Sequence, residues 1–331
     1  MPIASLHHAR PSYADVIRHI ELTPAEYADF VRSPFIDDEL VGDEAIRLVV
    51  VRGVANDLPS PGSLPVVVAS LMALDVADLV VNDDQLDGLI SSVAHAPIAA
   101  TSLAVLLRSI EHAKVEAGLA MESAVYSTLQ AGPEFAAWRS TATHQAHDDT
   151  DPTVIIGRVD DRLTITLNRP NRHNAINARL RDELCAALAI AIVDDTITSV
   201  ELRGNGSSFC SGGDLGEFGA RSDPATAHTI RLARSPARMI HRLNDRVTVH
   251  IHGSTLGGGI EMAAFGGQVV AHPDTTIALP EVSLGLIPGA GGTVSLTRRI
   301  GRQPTAYLAL IGEPINAATA LKWHLIDAIE P

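Results

Sequence analysis

Apolar and polar positions divide this chain into two unlike stretches separated by a polar run. In the second stretch, residues 154–158 and 162–167 read as two strands around a tight Asp160-Asp161 turn. Asn177 then caps a helix over residues 178–193, where Leu180, Leu184, Leu188 and Ala191 recur at helical spacing. Residues 199–202 and 246–251 read as buried strands, and the second runs into a glycine cluster after which Glu261 starts a helix. Residues 268–271 and 276–278 continue the strand–helix–strand rhythm. That alternation predicts an α/β sheet with crossover helices.

The first stretch follows a different pattern. Residues 46–51, 65–69 and 79–81 read as short strands, and residues 86–93, 98–113 and 116–130 as three helices, the last closed by Gly132-Pro133. The run from Ser140 to Pro152 is polar, nearly free of large apolar residues, and ends in proline. It predicts a linker over 141–152, between an N-terminal region (1–140) and a core domain (153–331). No fixed-period repeat or low-complexity segment interrupts either part.

Composition narrows the function classes. A length of 331 residues suits one catalytic domain plus an appendage, and 46% hydrophobic residues are ample for a core. A net charge of −14 argues against nucleic acid or an anionic membrane as partner, while leaving room for a local basic pocket that holds a phosphorylated ligand. Cys185 and Cys210 make no disulfide framework. The segment from Met1 to Asp15 has no apolar stretch of signal-peptide length, and no segment reaches membrane-spanning length. A soluble, cytoplasmic protein is the expectation.

The candidate chemistry lies in three glycine-rich stretches and two glutamates. Residues 204–215 carry Gly204, Gly206, Gly212 and Gly213 after a strand; residues 256–261 read Leu-Gly-Gly-Gly-Ile-Glu; Glu281 opens a run ending in Gly289, Gly291 and Gly292. Small residues expose main-chain amides, and two such loops can give two donors to one carbonyl oxygen. Two carboxyls at one ligand can share proton donation and acceptance. Each residue also has a plainer reading. Glu261 alone would complement a helix dipole, and Glu281 after a proline would be an exposed turn residue. His250 and His252 share a strand face without a third metal ligand in view, and His252 is expected to pack beneath the glycine turn. Cys210 reads as a small apolar residue and Asp214 as a loop anchor. Arg298, Arg299 and Arg302 read as a solvated or subunit-facing cluster, and Arg169 and Arg172 as phosphate contacts or surface charge.

Taken together, these motifs resemble the enoyl-CoA hydratase/isomerase (crotonase) superfamily. The resemblance rests on Asn168-Arg169-Pro170 with residues 173–177 (His-Asn-Ala-Ile-Asn), residues 209–215, residues 252–259, and residues 280–293, in the family's order. It implies an α/β, crotonase-like (ClpP/crotonase) spiral of repeated ββα units, preceded here by an α/β and helical N-terminal region. It assigns Gly213 and Gly258 to an oxyanion hole, Glu261 and Glu281 to catalysis, and the Gly289 amide to holding water. Ser211 and Gly212 fall where the family meets the CoA adenine, and Arg172 near the CoA phosphates. The implied reaction is syn addition of water to a 2-enoyl-CoA thioester, with Glu261 activating water and Glu281 delivering a proton to the α-carbon. The substrate carries the coenzyme A; no metal and no redox cofactor is implied. Homo-oligomers, trimers or hexamers, are implied as well. Retention of both glutamates favours hydration over enoyl-CoA isomerisation or another crotonase-type lyase reaction, and the intact site speaks against a non-catalytic scaffold.

The resemblance also implies a helical cap after the strand that residues 325–331 match, where this sequence ends. Residues 77–139 resemble that cap in the same order, through residues 77–86, 96–108, 118–123 and 131–135. The expectation is a cap supplied from the N-terminal side, within or between subunits, with residues 40–76 a degenerate fragment of a similar sheet.

Overall fold

The computed structural model describes residues 17–141, 149–219 and 223–331. In the first of these segments, β1 (Arg18–Leu22), α1 (Pro24–Arg32), α2 (Ile36–Leu40), β2 (Ile46–Val51), β3 (Val67–Ser70) and β4 (Leu79–Val80) build a parallel sheet in the order β1-β2-β3-β4. Parallel strands covered on both faces are apolar throughout, which is why Leu48-Val49-Val50-Val51 lacks alternation. Leu48, Val50, Val67 and Ala69 face one core; Val49, Val51, Val66 and Val68 face a smaller one with Tyr27, Ile36 and Leu40. Neither β1 nor the first two helices follows from apolar periodicity, because β1 is an edge strand carrying Arg18, His19 and Glu21. The start of α1 does carry a signal in its sequence. Thr23 and Glu26 form a reciprocal capping box, with Pro24 in the first turn.

Four helices follow: α3 (Asp83–His95), α4 (Pro97–Ile110), α5 (Val115–Gln130) and α6 (Pro133–Thr141). Asn82 caps α3 four residues before the apolar pattern begins at Leu86, its side chain accepting from the Gln85 amide. Among the described residues no single helix is long and apolar enough to cross a membrane; α3 and α4 pass that test only as a pair bent by 106°. The segment expected to be a linker is structured at both of its ends. Ser140 and Thr141 are helical, residues 142–148 lie outside the described residues, and Asp149 is tied to Arg169 and Asn177.

The rest of the chain contains the strands and helices read from its pattern, and more besides: β5 (Val154–Val159), β6 (Arg162–Leu167), α7 (Ala178–Val193), β7 (Ser199–Gly204), α8 (Pro224–Ala233), α9 (Pro236–Arg242), β8 (Val247–Ile251), β9 (Ser254–Leu256), α10 (Gly258–Ala263), β10 (Gln268–Ala271), β11 (Thr276–Ala278), α11 (Gly292–Ile300), α12 (Arg302–Ile311), β12 (Ile315–Asn316), α13 (Ala317–Lys322) and β13 (Ala328–Ile329). Six strands form one sheet in the order β13-β10-β8-β7-β6-β5, antiparallel only at β5, and β12-β11-β9 form a second. The helical face of α7 read from spacing is the buried one: Leu180, Leu184, Leu188 and Ala191 are all fully enclosed.

One continuous core runs through both halves. Leu103, Leu107 and Leu119 from the N-terminal helices belong to the same cluster as Leu202, Val249, Ile260 and Leu296. The seam also contains a buried ionic knot. Asp78 pairs with Arg108 of α4 at 2.5 Å and Arg302 of α12 at 3.1 Å, and accepts from the Val68 amide. Arg302 is therefore an internal tie rather than part of a solvated cluster. Arg299 is likewise committed, to Asp327 and to the carbonyls of Ala264 and Gly266. Removing one partner of a buried pair strands the others without solvent. Asp78→Ala is expected to lower the unfolding free energy by about 3–5 kcal/mol, read as a fall in the urea midpoint at unchanged slope.

Candidate active site

The site begins with a buried asparagine. His173 and Asn174 both adopt left-handed backbone, at φ 49° and 54°, which asparagine tolerates better than most residues. Asn174 takes the Arg169 amide on its oxygen at 2.7 Å and donates to the carbonyls of Asn205 and Ser208 at 2.9 and 2.8 Å. It thereby joins the loop before α7 to the glycine-rich loop after β7. Ile176 then bridges that second loop: its amide donates to the Gly212 carbonyl, and its carbonyl accepts from Asp214. A parallel bridge that uses residues 212 and 214 turns the N–H of Gly213 to the other side. Among the described residues that amide has no acceptor.

The second amide comes from β9 and α10. Gly257 sits at φ 45°, ψ −123°, a conformation open in practice only to glycine, and its Cβ position lies 2.2 Å from Glu281 Oε1. The resulting turn leaves the Gly258 amide at the start of α10, also without an acceptor among the described residues. A Cβ on Gly212 would lie 3.5 Å from that nitrogen, so the two loops are in contact. Phe218 covers Gly213 from the cleft side.

Glu261 and Glu281 face the same cleft, of about 500 Å³, which Gly213, Gly258 and Gly289 also line. Both carboxyls are buried, at 1% and 8% exposure, which rules out the turn-surface reading of Glu281. Their environments differ in a useful way. Glu261 accepts from the amides of Ala290 and Gly292 at 2.7 and 2.8 Å, and the Gly289 amide adds to the same carboxylate. Burial pushes its pKa up and these amides hold it back, leaving it at about 7. Glu281 is raised well above the usual carboxylate range, by burial first and then by the nearby charge of Glu261. Its Oε2 is buried with no hydrogen-bond partner among the described residues. One carboxyl is held toward its anion and the other toward its acid form.

A third buried acid joins them, from the opposite half of the chain. Glu122 of α5 is 2% exposed and accepts from the Gly291 amide at 2.7 Å, the Thr293 amide at 3.0 Å and the Thr293 hydroxyl at 2.6 Å. Successive amides of one loop thus alternate: 290 and 292 hold Glu261, while 291 and 293 hold Glu122. Burial and the Glu261 charge raise Glu122 to about 8. Tyr126 and Gln130 of α5 line the cleft, with the Tyr126 ring against Gly289 and the Arg231 guanidinium 4.8 Å over it. Sequence reasoning gave Glu122, Tyr126 and Arg231 no role. Nothing local marks them, since an acid or a tyrosine on an amphipathic helix reads as ordinary packing.

Other assignments fall differently. Ser211, Gly212 and Arg172 do not line this cleft; the Ser211 amide donates to the His173 carbonyl, and one guanidinium nitrogen of Arg172 is buried without a hydrogen-bond partner. Arg169 is neither a surface charge nor a phosphate contact. It is 3% exposed and pairs with Asp149 at 2.9 Å and Asp214 at 3.0 Å, which makes Asp214 the loop anchor its position suggests. Cys210 is fully buried, with its thiol pushed up to about 12, and packs as an apolar residue. His252 bonds the Gly206 carbonyl at 3.0 Å, and no group of metal-ligating side chains occurs among the described residues.

Known proteins match the same stretch. The family model described as enoyl-CoA hydratase/isomerase matches residues 162–331. The 2,3-dehydroadipyl-CoA hydratase of Escherichia coli is 34% identical, over 54% of this chain and 69% of that protein. The trans-2-decenoyl-[acyl-carrier-protein] isomerase of Streptococcus mutans is 32% identical, over 52% of this chain and 67% of its own length. Among solved structures, an enoyl-CoA hydratase from Thermoplasma volcanium superposes with a TM-score of 0.51 at 34% identity, covering 54% of this chain and 72% of that one. The matched region therefore spans about two thirds of its relatives.

Proposed function

This chain belongs to the enoyl-CoA hydratase/isomerase family, of crotonase fold, and from that premise we propose that it is an enoyl-CoA hydratase. The observation that carries the proposal is the unequal pair of buried carboxyls facing a cleft with two amides that are unbonded among the described residues. An isomerase needs one group to move a proton between carbons; addition of water needs a base for the water and an acid for the α-carbon. The thioester carbonyl enters between the amides of Gly213 and Gly258. Glu261, held by loop amides, takes a proton from water as its oxygen bonds the β-carbon, and the π electrons pass to the thioester oxygen as an enolate. The Gly213 and Gly258 amides stabilise the developing negative charge, a contribution of about 3 kcal/mol for each donor in comparable sites. Glu281, held in its acid form, then protonates the α-carbon, and the enolate collapses back to the thioester. Proton exchange between the carboxyls and solvent restores the starting state.

Residues 77–139 serve in this reading as the helical cap over the acyl site, supplied within the same chain. Tyr126 and Gln130 in the cleft wall, and Glu122 of α5 bonded to the amides of Gly291 and Thr293, support that role. The direct test is incubation of the purified chain with a 2-enoyl-CoA, following loss of the conjugated thioester absorbance and the mass of the product. The expected product is heavier by one water. A product of unchanged mass with a shifted double bond would replace hydration by isomerisation.

A further inference from the structure

The cleft adjoins a second cavity, of about 200 Å³. Ile176, Gly289, Ala290, Arg181 and Arg231 belong to the walls of both. Beside Gly289, Ala290 and Gly291 the wall of the second cavity carries the apolar Leu119 and Met262. Arg231 closes the path in a particular way. Its guanidinium donates to the hydroxyls of Ser123 and Ser127 and to Gln130 Oε1, and it stacks over Tyr126. All of these partners are neutral, and among the described residues no carboxylate forms an ion pair with it. Burial holds its pKa below the ordinary arginine value.

Acids nearby do not fill the gap. Glu122 has both oxygens committed to the loop amides, and its raised pKa leaves it short of a full charge at neutral pH. Glu116 also lines the cavity but is exposed. Arg181 and Arg238 add positive charge to the same wall, and among the described residues Arg181 pairs only with Asp182, its neighbour on α7. A half-buried cation in a cavity wall is costly unless a counter-charge arrives. The position fits one that arrives with the substrate.

We propose that the second cavity receives the distal end of the acyl chain and that Arg231 binds a carboxylate there, so that the favoured substrate is a 2-enoyl thioester of a dicarboxylic acid. This rests on the hydratase reading of the neighbouring site. A charge-assisted hydrogen bond of this kind corresponds to about a 10- to 100-fold preference.

The test compares CoA thioesters of equal carbon number that differ only at the chain end, methyl or carboxylate, such as hex-2-enoyl-CoA and hex-2-enedioyl-CoA. The purified full chain is expected to show kcat/KM at least tenfold higher for the carboxylated substrate. Arg231→Gln keeps a donor toward Ser123 and should bring the ratio of the two near one through KM. Arg231→Lys keeps the charge and should retain part of the preference. Wild-type preference for the methyl end would overturn the proposal, as would an Arg231→Gln loss shared equally by both thioesters, which would assign the cation to the CoA phosphates. Turnover of the methyl-ended substrate alone would leave the hydratase reading standing. Turnover of neither would remove both.

Discussion

Glu281→Gln should lower kcat for hydration about 10²- to 10⁴-fold while thioester binding stays within a few-fold of wild type. Glutamine keeps the shape of a side chain that is 8% exposed and pressed against Gly257, so the change removes the transferable proton with little repacking. Steady-state kinetics with an independent measure of thioester affinity would separate the cases. A raised KM at unchanged kcat would mean Glu281 contributes only uniform binding, and the acid role would be wrong. The pH profile gives a second check. With Glu261 at about 7, kcat/KM should rise as pH increases through that value and the base ionises. It should fall again at higher pH, when Glu281, raised well above the ordinary carboxylate value, loses its proton. Glu281→Gln should abolish the descending limb.

Glu122→Ala should cost about 10²-fold in kcat, although Glu122 reaches the site only through the loop that holds Glu261. The truncation leaves three buried donors, the amides of 291 and 293 and the Thr293 hydroxyl, without an acceptor. The loop must then shift, and the amides of 290 and 292 that hold Glu261 shift with it. Glu122→Gln supplies one oxygen in place of two and should recover much of the rate, whereas the alanine variant, with the loop amides drawn away from Glu261, should move the rising limb of the pH profile upward. An alanine variant with wild-type kcat and an unmoved profile would reduce Glu122 to a packing residue. Stability gives an independent reading. A carboxyl whose folded pKa lies above its unfolded value stabilises fully at low pH and loses that contribution as pH rises through the folded pKa. For Glu122 the window runs from the ordinary glutamate range to about 8, so wild-type stability should decline across it and Glu122→Gln should flatten the decline.

How much of this was legible in the residues varies by element. The strands at 268–271 and 276–278, the face of α7 and its Asn177 cap all follow from local periodicity and capping. Those are properties of a few adjacent residues. The N-terminal edge strand β1 was not legible, because its burial comes from a neighbour and its own pattern is charged. Arg169 illustrates the limit for charges. A basic residue beside a proline looks solvated until Asp149 and Asp214 close around it from two other loops.

By itself the sequence determined the α/β alternation of residues 154–278, the glycine-rich turns and the two acids beside them, since glycine backbone freedom and helix caps act within a few residues. Tertiary structure alone decided that Gly213 and Gly258 line one cleft with both acids, and that α5 of the first half supplies Glu122 and Tyr126 to them. The reason is that burial and charge coupling act through space: a carboxyl becomes an acid or a base at neutral pH only once other segments have excluded water and fixed its neighbours.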